Sequence, residues 1–296
     1  MPLGLGNILP IPPTDPQYVE NNYSLSFDGT DDYIKYTVDG SGHSVVVGRM
    51  MGQTNTHIFW VKPTDIASGE RPLLNIGDEA NYQYSIYIDT SGYINLNCST
   101  GGVSCIRRST TALVDDTWKQ VAVVFDGTEG AQADRLTFYI NGVDAGLTGS
   151  GGSIPATIQV SSDSDNTTAN AVAYVGYRDN DGAQTKFKGL INSYAFFYTA
   201  LSGTAISGLC DIPVNGYLRG YDVYDPIIDY THANMDVTWL MMGDGTESGA
   251  GTHLYNMALL WSGTSQSDWA YGADLDGATF VDRYTSASNV PQTTDD

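Results

Sequence analysis

The alternation of apolar and polar residues in the middle of the chain predicts β-strands. Residues 121–125 (VAVVF) are apolar throughout, which is typical of a strand covered on both faces. Residues 136–140 (LTFYI) alternate with a period of two, as in a strand with one buried face. The Asn141-Gly142 dipeptide that follows favours the tight turn of a β-hairpin. The stretch 117–142 is therefore predicted to form a central pair of strands.

Strand patterns of the same kind recur between residues 24 and 199. They are separated by turns rich in Gly, Asp and Asn and begin at intervals of roughly 8–15 residues, a spacing typical of an all-β sandwich. One short helix is predicted at 201–209, with Ser202 as its N-cap. The predicted fold class is therefore all-β, with two packed antiparallel sheets.

The two ends of the chain lack this pattern. Residues 1–22 contain five prolines, which keep the backbone extended and out of regular sheets. Residues 211–296 are rich in Gly and aromatic residues and alternate poorly. We therefore predict an extended N-terminal arm (1–22), a β-sandwich (23–210) and a C-terminal extension (211–296) that packs on the sandwich or on a neighbouring subunit.

The charge balance is strongly acidic. The chain has 34 Asp and Glu against 13 Lys and Arg, for a net charge of −21. Such a surface repels phosphate groups, so direct binding of nucleic acid is not expected. The N-terminus has no basic segment followed by an unbroken apolar run, and no window approaches 18 apolar residues. Neither a signal peptide nor a membrane span is therefore expected.

The three cysteines leave two alternatives. Cys98 and Cys105 are close enough in sequence to pair across a short loop, which would leave Cys210 free. Three buried free thiols is the favoured prediction, and it fits a protein made in a reducing cytoplasm.

Several ordered segments together resemble laminin-G-like, concanavalin-A-like domains. The resemblance covers residues 23–210 and implies an antiparallel jelly-roll sandwich. Lectins, adhesion modules, glycanases and virion proteins all use this fold, so the resemblance does not imply one function. The segments that carry it are SLSFDGTDDYI (24–34), HIFWVKP (57–63), TWKQVAVVFDGT (117–128), LTFYINGVDAG (136–146), YVGYRDND (174–181) and FKGLINSYAFFYTALSGTAISGL (187–209).

A second resemblance concerns WLMMGDGTESGAG (239–251). It is similar to a Trp-x-Met-Gly-Asp-Gly segment of laminin-G-like structural proteins of bacteriophages, although the Ser-Gly-Asn-Gly run that usually follows is missing. This resemblance implies a non-enzymatic virion protein, a capsid decoration or tail-associated component. Such a protein would act as a homo-oligomer in the virion and contact other virion proteins. The alternative is a carbohydrate-binding or adhesion module on a microbial surface.

Catalysis is not predicted. Glycanases of this sandwich class carry a Glu-x-Asp-x-Glu strand, and retaining glycoside hydrolysis needs two carboxyl groups about 5 Å apart. The five glutamates of this chain are scattered, and its four histidines show no metal-ligand spacing. A glycan hydrolase or lyase is therefore only a minor alternative.

Calcium is the one metal that the sequence suggests. Laminin-G-like domains often hold Ca²⁺ at the rim of the sandwich, and the resemblance implies ligands at Asp179 and Asp181, with Asp126 or Asp78 as partners. The alternative is that these aspartates cap turns.

Glycan binding is the second candidate chemistry. Sugar sites combine an aromatic platform with polar hydrogen-bonding groups. Tyr177, Tyr194, Tyr198 and Trp118 are the candidate platforms, and a host surface glycan is the candidate ligand. The alternative for each ring is packing in the core or at a subunit contact.

Overall fold

The computed structural model describes residues 25–36, 52–77, 82–158, 173–180, 183–197 and 199–210, together with three short strands beyond residue 236. The strands are β1 Leu25–Asp28, β2 Ile34–Tyr36, β3 Thr54–Pro63, β4 Arg71–Ile76, β5 Tyr82–Ile88, β6 Tyr93–Thr100, β7 Val103–Ala112, β8 Lys119–Asp126, β9 Leu136–Ile140, β10 Val143–Asp144, β11 Thr148–Gly152, β12 Ala173–Val175, β13 Tyr177–Asn180, β14 Ala183–Lys186, β15 Lys188–Phe197, β16 Val237–Trp239, β17 His253–Leu254 and β18 Ala273–Asp274. The α-helix α1 spans Gly203–Cys210, and 3-10 turns span Ile66–Ser68 and Gln132–Asp134.

Two antiparallel sheets confirm the predicted all-β sandwich. The seven-stranded sheet has the order β1-β15-β3-β8-β9-β10, and β16 also pairs with β15. The nine-stranded sheet has the order β11-β7-β6-β5-β4-β12-β2-β18-β17. Strands β13 and β14 form a separate hairpin. This arrangement agrees with the jelly-roll topology that the resemblance implied.

Strand β8 is covered on both faces, as its sequence predicted. Val121, Val123 and Phe125 belong to the main core between the two sheets. Ala122 and Val124 belong to a second apolar cluster on the other face of the same strand. Burial of both faces explains why residues 121–125 of this strand are all apolar.

Helix α1 helps to form this second cluster. Its Ile206 is buried together with Trp60 and Phe197. The backbone N–H of Ala205 donates to Ser202 Oγ at 3.2 Å, which confirms Ser202 as the N-cap.

The predicted hairpin turn joins β9 to β10. Asn141 has φ 50° and Gly142 has φ 73°, and Ile140 pairs with Val143 across the turn. Positive φ at both central residues is what Asn-Gly tolerates best.

The free-thiol prediction is wrong for two of the three cysteines. A disulfide joins Cys98 on β6 to Cys105 on β7, and both residues are fully buried. Gly101 and Gly102 form the turn of this hairpin, with φ 56° and 85°. A two-residue turn at that point sets Cys98 directly opposite Cys105 in the strand register.

Removing the disulfide is expected to lower the stability of the chain. In the chain-entropy model, closing a loop of this length contributes about 2–3 kcal/mol to the free energy of unfolding. A Cys98→Ala/Cys105→Ala variant should therefore unfold at lower urea concentration than a Cys210→Ala control. Equal stability of the two variants, or reactive thiols at positions 98 and 105 in the denatured control, would contradict the assigned bond.

Three strands beyond residue 236 add to the two sheets. Strand β16 pairs with β15, with Trp239 opposite Tyr194. Strand β18 pairs with β2 at Lys35, and β17 pairs with β18. The division of the chain into arm, sandwich and extension stays a prediction, because residues 1–22 and most of 211–296 lie outside the described residues.

In the part of the chain that the structure describes, no helix has the length and apolar character needed to cross a membrane.

Candidate functional site

The outer face of the nine-stranded sheet, opposite the core, is lined by polar side chains. On β5, Tyr84, Ile86 and Ile88 belong to the core, so the alternate residues point to the other face. On β6, Ile94, Leu96 and Cys98 likewise belong to the core. The side chains left on the outer face of these two strands are Gln83, Ser85, Tyr87, Tyr93, Asn95, Asn97 and Ser99.

Strand pairing lines these residues up in rows. Tyr174 on β12 lies in register with Asn75 on β4. Asn75 in turn pairs with Ser85, which pairs with Asn97. The row ends at Ile106 on β7, which is 47 % exposed. An aromatic ring, two amides and a hydroxyl thus lie side by side on adjacent strands.

A second row runs parallel to the first. Tyr87 pairs with Asn95, and Asn95 pairs with Arg108 on β7. We refer to the polar and aromatic residues of these rows, together with Gln83 of β5, as the polar face. It comprises Asn75, Gln83, Ser85, Tyr87, Asn95, Asn97, Arg108 and Tyr174.

The hydrogen bonds within the polar face leave capacity for further partners. Gln83 Nε2 donates to Asn75 Oδ1 at 3.3 Å, and Asn97 Nδ2 donates to Gln83 Oε1 at 3.4 Å. Both distances exceed the usual 2.7–3.2 Å, roughly, of an N–H···O bond. Ser85 Oγ is buried and has no hydrogen-bond partner in the described structure. A buried hydroxyl without a hydrogen-bond partner costs free energy. A ligand that hydrogen-bonds to Ser85 Oγ would explain why this cost is tolerated.

Asn95 is held more firmly than the other amides. Its Nδ2 donates to Asp89 Oδ2 at 3.0 Å and to the Tyr93 carbonyl oxygen at 2.9 Å. Arg108 stacks over the Tyr93 ring at 4.7 Å and lies 4.0 Å from Asp89 Oδ2. Polar contacts therefore fix the orientation of the Asn95 amide at this end of the polar face.

A buried arginine lies beside the polar face. The Arg178 guanidinium stacks over the Tyr87 ring at 4.1 Å and pairs with Glu70 at 2.6 Å. Burial raises the pKa of the Tyr87 hydroxyl. At neutral pH Tyr87 therefore keeps its proton and acts as a neutral side chain.

Three tyrosines and a lysine form an aromatic cluster at the β12 end of the polar face. The Tyr174 ring lies 5.7 Å from the Tyr33 ring and 4.8 Å from the Tyr177 ring. Lys186 Nζ lies 4.2 Å from the centre of the Tyr177 ring and 4.9 Å from that of Tyr33. All three tyrosines are half-buried. Such rings present an apolar surface and a polar hydroxyl at one edge of the sheet.

The cluster is bordered by acids. Burial lowers the pKa of the Lys186 ammonium group, whereas Asp31, Asp179 and Asp32 act on it in the opposite direction. Asp28, Asp31 and Asp32 place carboxylate oxygens within 4.8 Å of one another. Asp28 Oδ1 accepts from the Thr30 N–H at 2.7 Å, and Asp32 Oδ2 accepts from the Asp28 N–H at 2.8 Å, so these carboxylates hold the turn between β1 and β2.

Two of the sequence-predicted site residues meet in this region. Tyr177 is part of the aromatic cluster, and its hydroxyl lies 3.4 Å from Asp179 Oδ2. The prediction had assigned Tyr177 to glycan binding and Asp179 to calcium.

The structure contradicts the prediction that Tyr194 is a platform for a glycan. Tyr194 is 0 % exposed, lies in the main core and hydrogen-bonds His57 Nδ1 at 2.8 Å. It therefore offers no ring face to a sugar. The reason is a β-bulge in β15 between Ile191 and Ser193, which inserts one residue and turns Tyr194 to the same side as Ile191.

The remaining predicted residues lie elsewhere. Trp118 packs against the second apolar cluster, on the seven-stranded sheet. Asp126 Oδ1 accepts from the Thr128 N–H at 3.0 Å, so it caps a turn at the end of β8. Asp78, Asp181 and the side chain of Tyr198 lie outside the described residues.

The amides of the polar face were not predicted as site residues. Their signal was the alternation of Gln83 and Ser85 with apolar residues on β5, followed by Asn95 and Asn97 with the same period on β6. Amides at period-two positions of consecutive strands indicate a polar outer face, but the sequence does not show that Tyr174 joins them.

Comparisons with known proteins agree with the fold. A family model described as the concanavalin A-like lectin/glucanases superfamily matches residues 28–207. A sequence comparison with curated proteins finds no match.

Three solved structures illustrate the similarity. A SAP-like pentraxin of Limulus polyphemus is 16% identical, with 65% of this chain and 84% of that chain covered and a TM-score of 0.42. The IT-sialidase CBM40 of Ruminococcus gnavus is 13% identical, with coverages of 62% and 95% and a TM-score of 0.46. Domains LG4-5 of the mouse laminin alpha1 chain are 14% identical, with coverages of 59% and 40% and a TM-score of 0.39. Similarities of this size carry no argument about the ligand or the activity of this chain.

Proposed function

Because the chain belongs to the concanavalin A-like lectin/glucanases superfamily, we propose that it is a non-enzymatic carbohydrate-binding protein whose ligand lies on the polar face. The observation that carries the proposal is the row from Tyr174 through Asn75 and Ser85 to Asn97. In this row a half-buried aromatic ring stands beside amides and a hydroxyl with hydrogen-bonding capacity to spare. An aromatic surface and a few fixed polar groups are what an oligosaccharide site requires.

The accessible part of the polar face would make the first contacts. Asn97 and Tyr174 are half-buried, and the Arg108 side chain is half-exposed. Asn75 and Ser85 lie between Tyr174 and Asn97 in the same row and are buried. Tyr174 and Asn97 lie three strand spacings apart, about 14 Å. An oligosaccharide with one sugar ring on Tyr174 would therefore reach Asn97 with another ring, and the Asn97 amide both donates and accepts hydrogen bonds.

The composition of the strands supports binding without hydrolysis. Strands β4, β5, β6 and β7, which carry most of the polar face, contain neither Asp nor Glu. Glycoside hydrolysis by the usual mechanisms needs two carboxyl groups that flank the glycosidic bond. The strands beneath the proposed ligand supply none, so the lectin-like role is favoured over the glucanase-like one.

A glycan array probed with the purified full-length chain tests this function. We expect retention on a defined set of immobilised oligosaccharides. The Tyr174→Ala/Asn97→Ala variant is expected to lose that retention, whereas a Gln53→Ala control, which removes an exposed amide beside the other sheet, keeps it. An array without any retained glycan would contradict the proposal.

Calcium binding stays a prediction. Among the described carboxylates, Asp179 borders the aromatic cluster, and Asp126 caps a turn of the other sheet. If Asp179 contributes to a site of about 10⁻⁴ M affinity, about 1 mM calcium should raise the Tm by about 3 °C. Calorimetry in calcium and in EGTA measures this shift, and Asp179→Asn is expected to reduce it. An identical Tm in both buffers would contradict the calcium prediction.

A structural role in a virion is a more specific proposal than carbohydrate binding, and it came from the sequence. It rests on residues 1–22 and 239–251, which lie outside the described residues except for Trp239 at the end of β16. The Cys98–Cys105 disulfide is typical of proteins that mature in an oxidising compartment, which supports the extracellular or cell-surface alternative. Mass spectrometry of purified virions tests this role. Absence of this chain from the virions would overturn the virion proposal.

A further inference from the structure

The two described arginines at the polar face, Arg108 and Arg178, each lie close to an acid. Arg178 Nη1 lies 2.6 Å from Glu70 Oε2, and Arg108 Nη1 lies 4.0 Å from Asp89 Oδ2. The Arg178 side chain is 3% exposed, so a ligand cannot readily displace its partner. A carboxylate or sulfate on a ligand needs an accessible arginine fork. The Arg178 guanidinium is buried and paired with Glu70, although its Nε has no hydrogen-bond partner in the described structure.

The lysine at the β12 end is surrounded in the same way. Lys186 Nζ faces the rings of Tyr33 and Tyr177 and is influenced by the carboxylates of Asp31, Asp32 and Asp179. One positive charge thus stands among three negative charges. An anionic ligand at the aromatic cluster would meet net repulsion.

The electrostatic field of the whole chain is also negative, because the chain carries a net charge of −21.

We propose that the polar face selects uncharged glycans and discriminates against carboxylated or sulfated ones. This inference rests on the proposed carbohydrate-binding function and adds the class of ligand. Amides and hydroxyls match sugar hydroxyl groups because both sides donate and accept hydrogen bonds. A carboxylate or sulfate only accepts, and it would approach the carboxylates of Asp31, Asp89 and Asp179. Arg108, the half-exposed base of the polar face, has Asp89 4.0 Å away, so its charge is partly compensated.

Matched ligand pairs test the inference. Each neutral oligosaccharide that binds is compared by titration calorimetry with a sialylated or sulfated form of the same core. We expect the anionic form to bind about tenfold more weakly at low salt, and we expect the difference to shrink as the ionic strength rises. In an Asp31→Asn/Asp179→Asn variant, the affinity difference between the neutral and anionic forms should become smaller. Asp134 is an exposed acid of the turn before β9, and Asp134→Asn should leave this affinity difference unchanged.

The outcomes separate the two proposals. Equal or tighter binding of the anionic forms would overturn the charge selectivity and leave the carbohydrate-binding function intact. A difference that persists unchanged in Asp31→Asn/Asp179→Asn would also overturn it, because the acids named here would then not be its cause. Failure of both members of every pair to bind would overturn the function and the selectivity together.

Discussion

Replacing Tyr174 by alanine is expected to weaken glycan binding by about 30-fold, which corresponds to about 2 kcal/mol. The Tyr174 ring joins the aromatic cluster to the amide row, since it lies 4.8 Å from the Tyr177 ring and in register with Asn75. Its truncation removes the apolar surface on which a sugar ring would lie. Titration calorimetry with a neutral oligosaccharide measures the loss.

A conservative variant distinguishes a lost contact from a disturbed fold. Tyr174→Phe keeps the ring and is expected to bind within about threefold of the unmodified chain. Both variants should keep the Tm within a few degrees, because Tyr174 lies on the outer face and not in the core. Unchanged affinity of Tyr174→Ala would show that the ligand lies elsewhere.

Gly189→Ala is expected to lower the free energy of unfolding by about 3 kcal/mol or more. Gly189 lies on β15, opposite Pro63 of β3, with φ 132°. A Cβ at this position would come within 2.2 Å of the Lys62 carbonyl oxygen and within 2.9 Å of the Pro63 Cα. Since both atoms belong to the backbone of the paired strand, β15 and β3 would have to separate at this point.

Gly102→Ala is the matched control for this variant. Gly102 also has positive φ, at 85°, but a Cβ there would meet no atom within 4 Å. Gly102→Ala should lower the free energy of unfolding by about 1 kcal/mol, from the backbone conformation alone. Urea denaturation of the two variants measures the difference. Equal stability would contradict the close packing of β15 against β3.

The sequence predicted those elements that depend on interactions between residues close together in the chain. The unbroken apolar run of β8 reflects burial of both its faces, and the Asn141-Gly142 turn and the Ser202 cap depend on residues a few positions apart. The Cys98–Cys105 pairing was also within reach, because Gly101-Gly102 is a tight-turn signal that sets the two cysteines opposite each other.

Features that depend on register between distant segments were not predictable in the same way. Tyr174 meets Asn75 only because β12 pairs with β4, about a hundred residues earlier in the chain. The bulge in β15 reverses the side to which Tyr194 points, and the alternation of the sequence does not reveal it. The polar face is thus a product of sheet assembly, and the local pattern shows only its individual amides.

The affinity of the Tyr174→Ala/Asn97→Ala variant for the best neutral oligosaccharide is the decisive quantity. The two residues lie at either end of one cross-strand row, with Asn75 and Ser85 between them. Loss of a ring contact and of a hydrogen bond should together weaken binding by about 100-fold, with the urea midpoint of the chain unchanged. Binding that is as tight as that of the unmodified chain would contradict the assignment of the ligand to the polar face.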